Sequence, residues 1–273
     1  MCERSDALLD AMAAHRVVYR QPLPADAEAA LLDLPPAVRD LVTRIVVAQA
    51  LLTASERELT VRLPAQVGEH YEFERKRIVD RLIRSKGGDG ADLATDTWRK
   101  ELLIAAGGLL PIGAGFMDVT SGVPRGYLIR GGLRQFVRAA WAIMKARGRA
   151  PFVELHAHTE SMGAFSAQGW MSSYRVLAEL LLLNPHLRGV IRANWFIDPR
   201  IAEISPHLAY TREVPAKHGA VFLFVEIDRC GSSGALAKSA RGRALFERGE
   251  YVPRIYMMIW PRADLLRGFQ TSA

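Results

Sequence analysis

The chain has 273 residues, of which 49% are hydrophobic, 24% charged and 8% aromatic, the balance of a folded globular protein. That balance excludes disordered, collagen-like and coiled-coil classes, and the length allows one large domain or two smaller ones. Lys and Arg number 36 against 29 Asp and Glu, a net charge of +7, and residues 121–150 hold the whole excess: seven basic residues and no acid.

The first hundred residues read as helices. Pro35-Pro36 opens a segment with Val38, Leu41, Val42, Ile45, Val46 and Leu52 at helical spacing, running to about Leu63 before Pro64 breaks it. A second helix is expected over 65–84, stopped by Lys86-Gly87-Gly88-Asp89-Gly90, and a third over 94–106. The stretch from Leu102 to Met117 is the most apolar. Its 16 residues include Pro111 and four glycines, too short and too broken to span a bilayer. Met1–Asp6 has acids early and no apolar run behind it, unlike a signal peptide. Cys2 and Cys230 lie near opposite ends and make no disulfide framework, so a reducing, cytoplasmic setting is expected.

The basic window is itself helical over 132–147. Leu133, Phe136, Val137, Ala140 and Met144 make one stripe. Arg130, Arg134, Arg138 and Lys145, with Trp141 among them, make another. Such a helix suits an anionic small molecule, an acidic carrier protein or a membrane surface. Nucleic acid ranks low, because no nucleic-acid-binding motif accompanies the charge.

Beyond residue 150 strands and helices alternate. Strands are expected over 151–159, 187–197, 220–227 and 254–260. Helices are expected over 166–184, 199–204 and 233–248. The fold class is therefore α+β: a helical region over 1–120, a basic connecting helix over 121–150 and a layered α/β region over 151–273.

The chemistry concentrates in the strand from Pro151 to Glu160. Side chains two apart share a face, so Glu154, His156, His158 and Glu160 form one titratable row. Glu154, His156 and His158 suit general acid/base work. Alternatively His156, His158 and Glu160 form a metal triad of unknown metal. A third possibility is the solvated face of an antiparallel strand. Arg192 and Asn194 share a face of the next strand. If that strand pairs beside the first, Asn194 joins the catalytic row, and Arg192 joins Arg130, Arg134 and Arg138 as cations for an anionic co-substrate.

Two resemblances arise from these residues. Glu154-Leu155-His156-Ala157-His158-Thr159 resembles the first metal-binding motif of the polymerase-and-histidinol-phosphatase hydrolases. That family needs further histidine motifs, and here only His186, His207 and His218 follow. Ala193-Asn194-Trp195-Phe196-Ile197-Asp198-Pro199, followed by Ser205-Pro206-His207-Leu208-Ala209-Tyr210, resembles a strand and short helix of the GNAT-like acyltransferases. The likeness covers about residues 150–230. It implies splayed strands that admit the thioester arm of acyl-CoA or acyl carrier protein, and transfer of the acyl group to a small-molecule or peptide acceptor. The family's pyrophosphate loop would fall at Ser161 to Gly169, where Gly163 and Gly169 do not give its spacing. A non-catalytic protein docking through its basic helix is the reading from a different class.

Overall fold

The structure is a computed structural model that describes residues 25–54, 61–84, 97–157, 165–229, 234–236 and 239–269. The fold is α+β. The chain forms two compact units: residues 1–118 with 157–162, and residues 119–156 with 163–273.

The first unit is helical. It holds α1 (Ala25–Leu32), α2 (Pro36–Ala54), α3 (Ala65–Arg84) and α4 (Thr97–Ala105). The segment after α4 forms a short hairpin. β1 (Leu110–Pro111) pairs antiparallel with the start of β2 (Phe116–Ser121). Glycines interrupt the apolar run enough to turn it, and two residues are too few for a period to register in sequence. Val46, Ala50, Ile78, Trp98, Leu102 and Phe116 meet in one core. Glu101 is buried there, with Arg77 at 3.6 Å and Arg81 as its ion partners.

The second unit starts from the last residues of β2 and carries strands in the order β2-β3-β4-β6-β5. Its elements are α5 (Gly132–Lys145), β3 (Phe152–His156), α6 (Ala167–Leu183), β4 (Gly189–Asn194), α7 (Ile201–Ile204), α8 (Tyr210–Lys217), β5 (Val221–Ile227), α9 (Ala240–Glu247), β6 (Arg254–Pro261) and α10 (Arg262–Phe269). The sequence pattern anticipates α6 closely, because Ser166 caps it by accepting from the Gly169 amide at 3.1 Å. It misses α8, which carries Pro215, and α10, which continues directly from β6.

β3 and β4 run parallel, joined through α6, with Val153 opposite Val190 and Glu154 opposite Ile191. Parallel strands are covered on both faces. All five residues of β3 are buried, so the solvated antiparallel face expected as one possibility is not present. Phe152, Ile191, Leu223, Met257 and Ile259 turn to one face and pack against Ala139, Ala142 and Ala146 of α5. Trp260, on the other face, stacks edge-on with Tyr174 of α6 and Phe269 of α10, at 5.1 and 5.6 Å between ring centres.

This packing decides which side of α5 meets the sheet. Small residues and Gln135 face the sheet, and the apolar stripe of Leu133, Val137 and Met144 faces outward. The sheet lies within reach only of a helix face made of alanines, which lets the backbones approach closely. Lys145 donates to the buried Asp264 of α10 at 2.5 Å. Arg130 pairs with Glu226 at 3.6 Å. The acid-free window thus finds acids through the fold.

Gln135 also closes the edge of the sheet. Its Nε2 donates to the Tyr127 and Phe224 carbonyls at 2.7 and 2.9 Å, and its Oε1 accepts from the Phe224 amide at 2.7 Å. The edge strand β5 is irregular between Phe224 and Glu226, and the amide side chain pairs the backbone there. Gln135→Leu keeps the volume and strands the half-buried amide and carbonyl of Phe224. It should cost about 1–3 kcal/mol, read as a lower urea midpoint with an unchanged m value.

Candidate functional site

Glu154 and His156 project from the same face of β3, as their spacing requires, and both are buried. Glu154 is fixed from the neighbouring strand: Ser121 Oγ donates to its Oε2 at 2.5 Å. β3 ends at His156. His158 and Glu160 lie outside the described residues, so the four-residue row and the metal triad are represented there by Glu154 and His156. Among the described residues no three metal-ligating side chains gather.

Arg192 and Asn194 do not join that row. In a parallel pair, residues opposite one another point to the same face. Glu154 therefore shares its face with Ile191, while Arg192 and Asn194 turn to the other side of the sheet. The expectation of one polar cluster around His156 fails by a single step of register.

What sequence reasoning missed is the surroundings of Arg192. Its guanidinium lies 4.2 Å from the centre of the Trp170 ring, 5.5 Å from Phe196 and 5.8 Å from Phe165. The residue is 1% exposed, and burial pushes its pKa down from the usual 12.5 to about 10, against the opposing pull of Tyr174 and Tyr210. Its Nε, Nη1 and Nη2 find no hydrogen-bond partner among the described residues, nor do Trp170 Nε1, Tyr210 Oη and Asn194 Oδ1. Only Phe196 stands near Arg192 in sequence; Phe165 and Trp170 lie 27 and 22 residues before it, and nothing local shows that three rings converge on one cation.

A second arginine, Arg212 of α8, lies nearer the edge of the same face. It sits 4.2 Å above Phe222 and donates to the Ile197 carbonyl at 2.5 Å. Its hydrogen bond is internal, which sets it apart from Arg192.

Among the described residues the β3–β4 ladder consists of the pairs at Val153 and Glu154. β4 pairs with β6 along all six of its residues. His156 ends β3, and Asn194, which that register sets one residue beyond it, ends β4.

No family model matches the chain, and no curated protein matches it. Among solved structures it is similar to one described as the crystal structure of acyltransferase in complex with decanoyl-CoA. Identity is 16% and the TM-score 0.48, over 94% of this chain and 76% of that one. A likeness at that score carries no weight for function.

A buried cation without a hydrogen-bonding partner costs stability at every pH below about 10, where the folded state holds the charge against its environment. Arg192→Met removes the charge and keeps much of the volume. It should leave the thermal midpoint unchanged or raise it by a few degrees, measured by calorimetry. A fall equivalent to more than about 2 kcal/mol would show the ring contacts to outweigh desolvation.

Proposed function

We propose that the second unit transfers an acyl group from a thioester, acyl-CoA or acyl carrier protein, to a small acceptor that bears a carboxylate. The observation that carries this reading is the early end of the β3–β4 ladder. In this reading the two strands separate beyond Glu154 and Ile191 and offer backbone N–H and C=O groups at strand spacing. An extended arm that contains amides, as a thioester carrier's does, can add to such an edge as a strand would. The resemblance of residues 150–230 to the GNAT-like acyltransferases implies the same use of parted strands.

In this reading His156 is the general base, because it alone of the buried pair sits where the ladder has ended. It takes the proton from the acceptor's amine or hydroxyl as that atom attacks the thioester carbonyl. The new bond forms to the carbonyl carbon, the carbon–sulfur bond breaks, and the departing thiolate receives the proton from His156. Backbone N–H groups on the free edge of β4 hold the oxyanion between the two steps. Glu154, engaged by Ser121, is a positioning residue for the end of β3.

Arg192 takes the acceptor's carboxylate. It is enclosed too tightly by three rings for a bulky, solvated pyrophosphate, whereas a planar carboxylate matches the guanidinium fork. Asn194 and Tyr210 line the same face. The acceptor thus approaches from the side of the sheet opposite His156, and the gap between the strand ends is where the two meet.

The test is thiol release from acyl-CoA in the presence of amino-acid acceptors and their amides. His156→Ala should lower kcat about 10²–10⁴-fold. Arg192→Met should raise the acceptor's KM about 10–100-fold, leave the donor's KM unchanged, and abolish the preference for the free carboxylate over the amide. A donor KM that rises instead would move Arg192 to the thioester side. Absence of thiol release with every acceptor, from CoA and from carrier protein, would reject acyl transfer.

A further inference from the structure

We propose that the outward face of α5 docks the protein on an anionic lipid surface. Residues 132–145 form 14 residues of helix, about 21 Å long, whose three sides differ in character. Gln135, Ala139 and Ala142 face the sheet. Leu133, Phe136, Val137 and Met144, joined by Ile129 just before the helix, form a continuous stripe with exposures from 45% for Phe136 to 78% for Leu133. Arg134 and Arg138 form the third side and are exposed, with no acid paired to either among the described residues. Trp141, 54% exposed, stands on the seam between the apolar and basic sides.

Water alone does not favour this arrangement. Five large apolar side chains in one exposed stripe are more than scattered surface residues, and a contiguous patch of this kind marks a surface that something covers. The combination identifies the cover. An apolar stripe bordered by arginines, with an aromatic ring at the border, meets both the acyl boundary and the phosphate layer of an anionic bilayer. A CoA phosphate or a polar acidic protein would satisfy the arginines and leave the apolar stripe in water. No described helix is long and apolar enough to cross a membrane, so attachment through α5 is a surface contact. The inference stands independently of acyl transfer, since it rests on the helix and not on the strand ends.

Trp141 gives a direct readout. The other four tryptophans, Trp98, Trp170, Trp195 and Trp260, are each no more than 9% exposed. The difference in emission between the full chain and its Trp141→Phe variant therefore reports α5. In solution that difference should be red-shifted and quenched by iodide. Vesicles of phosphatidylcholine with a quarter phosphatidylglycerol should shift it to the blue and pellet the protein, while pure phosphatidylcholine vesicles should do so much less. Leu133→Ser with Val137→Ser and Met144→Ser should cut partitioning more than tenfold. Arg134→Gln and Arg138→Gln should each cut it about fivefold and flatten its salt dependence. All these positions are exposed, so the urea midpoint should stay within error of the parent and confirm folding. The proposal fails if the folded chain ignores anionic vesicles, or if the substitutions leave partitioning unchanged. It also fails if Trp141 is already blue and unquenched without lipid, since the face is then covered by protein. Sedimentation would show whether that cover is a second copy.

Discussion

The parallel pairing of β3 with β4 is the constraint on which the second unit depends. Once Glu154 stands opposite Ile191, every side chain on both strands is assigned to a face. Glu154 and His156 go toward α5, and Arg192 and Asn194 go toward α6 and α8. The crossover helix α6 then has to bury Trp170 and Tyr174 against that second face, which brings a ring over Arg192.

Arg192 is a cation held at a cost to stability. Three rings supply cation–π attraction, but a guanidinium with five donors is poorly served by π faces alone. The desolvation that lowers its pKa would, in the presence of a carboxylate, strengthen the attraction between them. An environment that penalises the empty cation favours the filled pair. Lys145 and Asp264 illustrate the opposite solution, a charge whose partner is built into the fold and which calls for nothing from outside.

α5 makes a similar division visible on the surface. Its alanine side satisfies the sheet with little apolar area, and Gln135 secures the edge strand with two hydrogen bonds. The larger apolar side chains are therefore not needed to hold the helix in place. Their outward position is consistent with a helix whose attachment to the domain and whose contact with a partner are carried by separate faces.

The sequence by itself determined much of the local structure. The proline and glycine punctuation, the Ser166 cap and the 3.6-residue period marked the long helices, and the period of two placed Glu154 and His156 on one face. These are short-range effects, decided by residues within a turn or a strand of one another. The fold class followed from the order of such elements. The tertiary structure alone decided the rest. A helix with two apolar stripes, one of alanines and one of larger residues, gives no local sign of which meets the sheet. Close approach of the backbones chose the alanines. The faces of Arg192 and Asn194 relative to His156 depended on a register between residues 37 apart in sequence, and one residue of shift reverses the answer. The acids that neutralise Arg130 and Lys145 come from β5 and α10, far along the chain. The three rings around Arg192 belong to an irregular segment, a helix and the turn after β4, and only the fold makes them neighbours.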